Sequence, residues 1–154
     1  MQNKLISTTQ ITHISSVKKG SKLELPLYSS PVSAGFPSPA DDFLEGAIDL
    51  NQQLITNPAS TFLVRVQGES MTGAGIFAGD VLIVDKSKDP KSGEVVIAVL
   101  DGDFLLKRFV IKRVNGEKQI WLEPENSDYN PLMITQDQDF QIWGVIKYVI
   151  HNPN

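Results

Sequence analysis

Between residues 61 and 150 the chain alternates short apolar runs with polar turns, a pattern typical of antiparallel β-structure. β-Branched and aromatic residues concentrate in these runs, which predict strands at 61–67, 81–85, 94–100, 104–111, 119–124, 132–135 and 140–150. Asp101–Gly102 and Asn115–Gly116 occupy two of the intervening turns and favour tight hairpins. We therefore predict a mostly-β fold class with a closed or folded antiparallel sheet.

The chain ahead of these strands divides into a polar arm and a predicted helix. Residues 1–30 are rich in Ser and Thr and alternate weakly in the run KLELPLY, which predicts an arm with one short strand. A helix is predicted over residues 38–56, because Ser38 is a good N-cap, Pro39 suits the first helical position and Asp41 completes a capping box. The apolar face of this helix would consist of Phe43, Ala47, Leu50 and Leu54.

The composition excludes several kinds of chemistry. The 154 residues suit one domain, they include no cysteine, and the two histidines, His13 and His151, lie near opposite ends. Thiol chemistry is thus impossible, and neither a zinc site nor a His-based triad is expected. No apolar run approaches the roughly 20 residues of a transmembrane helix, and the N-terminus lacks the apolar core of a signal peptide. We expect a cytoplasmic protein with no metal and no organic cofactor.

Charge is distributed unevenly along the chain. The overall net charge of −4 argues against a general nucleic-acid binder, so direct specific binding to DNA is not expected. Residues 1–34 carry four lysines and one glutamate, a net charge of +3, whereas residues 35–154 carry ten basic and seventeen acidic residues, a net charge of −7. Either the basic arm is solvated and its bias is accidental, or the arm associates weakly with the acidic body.

Ser70, in the run VQGESM, follows a predicted strand and a glycine. A serine at such a strand-to-turn corner can be exposed while neighbouring backbone N–H groups point at the same spot. The N–H groups of Glu69 and Ser70 could then stabilise an oxyanion. With no cysteine and no suitably placed histidine, a serine activated by a lysine is one of the few remaining routes to covalent catalysis.

Lys107 is the lysine that the pattern singles out. In a strand it shares its face with Leu105 and Phe109, because residues two apart point the same way. A lysine on an apolar face either extends to solvent from an edge strand, which is the commoner case, or is partly desolvated. Desolvation lowers the pKa of a lysine and makes it a potential general base. The pattern leaves both alternatives open.

Four stretches, taken in order, resemble a known family. They are AGFPSPADDFLEGAIDLNQQLI, GESMTGAGIFAGDVLIVD, GEVVIAVLDGDFLLKRF and PENSDYNP. They are similar to the UmuD-type members of the LexA-like family of self-cleaving serine peptidases, from about Ala34 to the C-terminus. The resemblance implies a LexA/signal-peptidase-like folded sheet with one N-terminal helix and a flexible N-terminal arm. It also implies two parts, an arm at 1–34 that self-cleavage removes and a peptidase domain at 35–154.

The same resemblance implies the roles of individual residues. Ser70 matches the nucleophile of the family, Lys107 matches the general base, and Ala34–Gly35 matches the scissile bond. The backbone N–H groups of Glu69 and Ser70 match the oxyanion hole. Small residues on both sides of the scissile bond would let the backbone enter a narrow cleft without side-chain clashes.

The resemblance further implies a biological role. In this family, a filament of RecA on single-stranded DNA assists the slow self-cleavage. The processed product forms a homodimer and joins a UmuC-type catalytic subunit for translesion DNA synthesis in SOS mutagenesis, as part of the response to DNA damage. A physical reason for the assistance is that the filament favours the state in which the scissile bond is docked at the serine.

Three alternatives accompany this interpretation. A LexA-type or phage-type repressor body would need an N-terminal DNA-binding domain, which 34 residues are not expected to supply. A signal peptidase relative would use a similar Ser/Lys pair but would need a membrane anchor. In a non-enzymatic dimeric binding module, Ser70 and Lys107 would be vestigial.

Overall fold

The part of the chain that the structure describes, residues 10–17, 20, 22, 24–28 and 44–154 of a computed structural model, consists mainly of antiparallel strands. The strands are β1 (Gln10–Ser16), β2 (Glu24–Tyr28), β3 (Leu44–Asp49), β4 (Thr61–Gln67), β5 (Val81–Asp85), β6 (Val95–Leu100), β7 (Asp103–Val114), β8 (Glu117–Glu123), β9 (Leu132–Met133) and β10 (Phe140–Ile150). Alongside them lie one short helix, α1 (Leu50–Leu54), and 3-10 turns at Pro58–Ser60 and Thr72–Ala74. The predicted mostly-β fold is confirmed.

Eight strands form one sheet in the order β1-β4-β5-β10-β6-β7-β8-β9, while β2 and β3 pair separately. All of these pairs are antiparallel. The last strand, β10, lies between β5 and β6 and therefore joins two hairpin-connected halves of the sheet. Gly144 permits this insertion, because a Cβ atom at that position would lie 2.4 Å from Val84 Cγ1.

Two turns have the geometry that their sequences predict. Asp101 and Gly102 have φ angles of 49° and 88°, and Asn115 and Gly116 have φ angles of 51° and 81°. Two successive residues at positive φ are what a two-residue hairpin of the right twist requires, and Asp-Gly and Asn-Gly tolerate them. These turns set the registers in which β7 pairs with β6 and β8.

The helix predicted over residues 38–56 is wrong in extent. Its first half is partly β-structure, since β3 pairs with β2 and the backbone groups that a helix would have used are satisfied in that ladder. Within the described residues 44–56 of this stretch only α1 is α-helical, and Asp49 caps it by accepting a hydrogen bond from Asn51 N at 2.9 Å. The proposed capping residues Ser38, Pro39 and Asp41 lie outside the described residues.

The N-terminal arm contains more β-structure than predicted. Both β1 and β2 fall within the first 30 residues, where one short strand was expected. β1 pairs with β4 from Gln10 opposite Gln67 to Ser16 opposite Phe62, and Ile11 packs against the core. Of the described arm, β1 therefore extends the main sheet, while β2 pairs with β3.

Two apolar clusters fill the core, and β6 and β7 contribute to both. Successive residues of β6 and β7 point to opposite sides of the sheet, so each strand supplies side chains to each cluster. The first cluster contains Val64, Val66, Met71, Ile76, Leu82, Val84, Ile97 and Leu106. The second contains Val96, Ala98, Phe109, Leu122 and Val145. Met71 and Ile76 belong to the loop after β4, so this loop is anchored in the core.

Asp85, at the end of β5, ties the chain ahead of β4 to the sheet. Burial raises the pKa of this carboxyl group, but hydrogen bonds from the side chain and backbone of Ser87 and from Asn57 and Ser60 outweigh it and lower the pKa to about 2. This pKa is below the 3.8 of an ordinary aspartate. The hydrogen bonds to the charged carboxylate therefore stabilise the folded state above pH 4, and this contribution is lost as the pH falls through 2.

We expect Asp85→Asn to lower the free energy of unfolding by about 2 kcal/mol at pH 7, because the charged acceptor is lost. The difference from wild type should shrink as the pH falls from 5 to 2. Urea unfolding across this range measures it, with Asp89→Asn, an exposed aspartate in the following turn, as the matched control. If the difference in free energy of unfolding between Asp85→Asn and wild type does not change with pH, Asp85 does not have the lowered pKa.

Candidate active site

Ser70 lies in the loop that leaves β4, two residues after Gly68, whose φ of 97° turns the chain away from the sheet. Backbone bonds from Ala74 N and Ile76 N to Met71 O, at 3.0 and 3.2 Å, fold the loop back on itself. The Ser70 side chain is fully buried, so the expectation of an exposed serine is wrong. Because Met71 is anchored in the core, Ser70 has a defined position.

Lys107 is buried on β7, with 2% of its surface exposed. β7 lies between β6 and β8 in the sheet, and Val96 of β6 is opposite Lys107. The edge-strand alternative is therefore wrong for this lysine. Burial of the amine lowers its pKa from 10.5 to about 8, because the charged form loses hydration.

The fold brings Ser70 and Lys107 into direct contact, although they are 37 residues apart in the chain. Lys107 Nζ donates a hydrogen bond to Ser70 Oγ at 2.9 Å. With a pKa near 8, roughly one lysine in ten is neutral at pH 7, about 300 times more than for an ordinary lysine. A neutral amine at this distance can accept the hydroxyl proton, which is the geometry of a general base and its nucleophile.

Tyr129 flanks the same contact. Its ring centroid lies 5.9 Å from Lys107 Nζ, and 9% of its surface is exposed. An aromatic face at this distance attracts a lysine cation and adds to the apolar surroundings of the amine. Sequence reasoning did not assign Tyr129 a place in the site, although it lies in the motif PENSDYNP.

The segment after β8 is bound to the serine loop by three hydrogen bonds. Glu125 N donates to Ser70 O at 2.9 Å, and Gly73 N donates to Glu125 O at 2.7 Å. The side-chain amide of Asn126 donates to Glu69 O at 2.8 Å. Both carbonyl groups that flank the Ser70 backbone are therefore held by this segment, which the sequence motifs alone did not indicate.

An ion pair connects the strand of Lys107 to the same segment. Arg108 Nε pairs with Glu125 Oε1, while Arg108 Nη1 donates to Gly93 O at 2.6 Å. Arg108 thus holds β7, the turn before β6 and the segment after β8 together. The positions of Lys107 and Ser70 therefore depend on these hydrogen bonds and this ion pair as well as on the contact between the two side chains.

Ala34 and Gly35 lie outside the described residues. The residues that the structure describes contain no group of three or more His, Cys, Asp or Glu side chains that could hold a metal ion. No helix among them is long and apolar enough to cross a membrane.

The chain is similar to known proteins over most of its length. The family model described as Peptidase S24-like matches residues 26–147. Protein ImpA of Salmonella typhimurium is 40% identical over 126 residues, which cover 82% of this chain and 83% of ImpA. Protein SamA of Salmonella typhimurium strain LT2 is 42% identical over 126 residues, covering 82% of this chain and 84% of SamA. LexA repressor 2 of Xanthomonas axonopodis pv. citri is 35% identical over 137 residues, covering 89% of this chain and 62% of that repressor.

Replacement of Lys107 by methionine should remove a pH dependence of stability. The unfolded chain keeps the lysine proton up to about pH 10.5, whereas the folded chain releases it near pH 8. The free energy of unfolding should therefore rise by about 3 kcal/mol between pH 8 and 10.5 when Lys107 is present. Denaturant unfolding of Ser70→Ala with and without Lys107→Met measures this, and Lys112→Met, an exposed lysine of the same strand, is the control. Parallel profiles would exclude a depressed pKa.

Gly73→Ala should destabilise the serine loop. A Cβ atom at this position would lie 2.5 Å from Glu125 O, so the hydrogen bond from Gly73 N to that oxygen would have to break or shift. We expect the free energy of unfolding to fall by about 1–3 kcal/mol. Gly20→Ala is the control, because nothing lies within 4 Å of a Cβ atom there. Equal denaturation midpoints for the two variants would contradict this.

Proposed function

The chain belongs to the Peptidase S24-like family, and from this premise we propose that it is a self-cleaving serine peptidase that cuts its own Ala34–Gly35 bond. The observation that carries the proposal is the buried hydrogen bond of 2.9 Å between Lys107 Nζ and Ser70 Oγ. A surface Ser/Lys contact would have little chemical meaning, because an exposed lysine is almost fully charged at neutral pH. Burial supplies the neutral amine that such a reaction needs.

The reaction proceeds in two stages. Neutral Lys107 takes the hydroxyl proton of Ser70, and Ser70 Oγ bonds to the carbonyl carbon of Ala34. The resulting oxyanion accepts hydrogen bonds from the N–H groups of Glu69 and Ser70. The carbon–nitrogen bond then breaks, and the Lys107 ammonium gives its proton to the amine of Gly35. Lys107 next deprotonates a water molecule, which attacks the acyl-enzyme; Ser70 regains its proton and the Ala34 carboxylate leaves.

Cleavage divides the chain into an arm, residues 1–34, and a peptidase domain, residues 35–154. The pairing of β1 with β4 gives this division a structural consequence. β1 covers the outer edge of β4, so loss of the arm would leave the backbone groups of that edge without a neighbouring strand. Cleavage would thereby change the surface on which partners could bind.

The processed form would be a homodimeric, cytoplasmic accessory subunit of a UmuC-type translesion DNA polymerase in SOS mutagenesis. A RecA filament on single-stranded DNA would assist cleavage by favouring the docked scissile bond. The support for these partners is the family resemblance together with the similarity to ImpA and SamA over more than four fifths of the chain.

A LexA-type repressor is the second candidate, favoured by the 35% identity to LexA repressor 2. The chain spans 62% of that repressor, so the match alone does not extend to the whole protein. An electrophoretic mobility shift assay at physiological salt separates the two functions. Specific nanomolar binding to DNA by the uncleaved chain would favour the repressor, and its absence would favour the accessory subunit.

We expect the purified protein to cleave itself at about pH 10, because more Lys107 is neutral there. Mass spectrometry should detect a fragment that begins at Gly35, and the rate should rise with pH through a midpoint near 8. Ser70→Ala should not cleave, and Lys107→Ala should be slower by about 10²- to 10⁴-fold.

Lys112→Ala is the matched control for this assay, since it removes an exposed lysine from the same strand and should leave cleavage unchanged. The activated RecA filament provides a second condition at neutral pH. If the wild-type chain stays intact both at pH 10 and with the filament, the peptidase proposal fails.

A further inference from the structure

Asn126 has its side-chain amide fixed at both ends. Its Nδ2 donates to Glu69 O at 2.8 Å, and its Oδ1 accepts a hydrogen bond from Asp128 N at 2.9 Å. The second bond closes a local turn, which orients the amide so that its nitrogen faces the serine loop. A side chain held in this way has a defined direction rather than a choice of rotamers.

The acceptor of the first bond belongs to the peptide group that joins Glu69 to Ser70. In a trans peptide the carbonyl oxygen and the amide hydrogen lie in one plane and point in opposite directions, and no cis peptide occurs among the described residues. Whatever holds Glu69 O therefore also sets the direction of the Ser70 N–H. That N–H is one of the two donors of the proposed oxyanion hole.

We propose that Asn126 is a positioning residue that aims the Ser70 N–H at the oxyanion formed during self-cleavage. This inference rests on the proposed function. The serine loop and the segment after β8 also share two backbone hydrogen bonds, from Glu125 N to Ser70 O and from Gly73 N to Glu125 O. They keep the segments together whatever side chain stands at position 126. Glu69 O also accepts a longer hydrogen bond from Thr72 N, at 3.4 Å within the serine loop, so the Asn126 amide supplies the shorter of its two bonds. Loss of the Asn126 bond would let the Glu69–Ser70 peptide rotate without separating the segments.

The choice of asparagine follows from its two polar atoms. Aspartate at position 126 would keep the oxygen that closes the turn but would present a second oxygen, in place of an N–H donor, to Glu69 O. Asn126→Asp therefore removes the positioning bond while it preserves the turn. Asn126→Ala removes both bonds without adding charge, so the two variants separate the loss of the donor from the effect of a new carboxylate.

The test follows self-cleavage of the full-length chain from pH 7 to 11 by mass spectrometry. Both variants should cleave about 10- to 100-fold more slowly than wild type at every pH, because a misdirected donor stabilises the transition state less. In Asn126→Ala the midpoint near pH 8 should not move, since the lysine is untouched and no charge is added. Asn130→Asp, the same change at an exposed asparagine of the same segment, should match wild type.

Each other outcome overturns the inference. Wild-type rates in both variants would mean that the Ser70 N–H needs no such support. A midpoint shifted to higher pH in Asn126→Ala, with an unchanged plateau, would mean that position 126 acts through the charge of Lys107. Loss of the native fold in both variants, seen by circular dichroism, would mean that Asn126 is needed for folding and not for the direction of the Ser70 N–H. If wild type itself does not cleave, the proposed function fails and this inference with it.

Discussion

The burial of the Lys107 amine against Ser70 Oγ is the interaction on which the candidate site depends. Removing an ammonium group from water is unfavourable, and the same desolvation lowers its pKa to about 8. Stability and reactivity are therefore opposed at this position, because burial that weakens the folded state also creates a neutral base. An arrangement of this kind persists only if the surrounding structure holds it in place.

That surrounding structure comes from three places in the chain. The loop after β4 carries Ser70 and is anchored by Met71, β7 carries Lys107, and the segment after β8 bonds to both. Close approach is possible because position 73 is a glycine, where a side chain would meet Glu125 O. The family match over residues 26–147 includes all three of these parts.

Much of the sheet could be predicted from local pattern. The strands β4, β5 and β10 begin and end where alternation and β-branched residues indicate, because burial on a pleated surface follows a period of two. The helix predicted over residues 38–56 is wrong in extent, because an apolar spacing compatible with a helix is overridden at β3 by pairing with β2. Local pattern singles out Ser70 and Lys107, and the family resemblance gives them their roles. Asn126 and Tyr129 are assigned none, since their partners are distant in the chain.

The sequence by itself determined the strand periodicity, the hairpin turns, the absence of thiol chemistry and the residue types available for a Ser/Lys reaction. Only the tertiary structure decided between a solvated and a buried Lys107, because burial depends on which strands flank β7 and not on its own residues. The same holds for the hydrogen bond from Lys107 to Ser70, which joins residues 37 positions apart. Local pattern reports which face a side chain occupies, whereas desolvation and hydrogen-bond geometry depend on what the whole sheet places opposite that face.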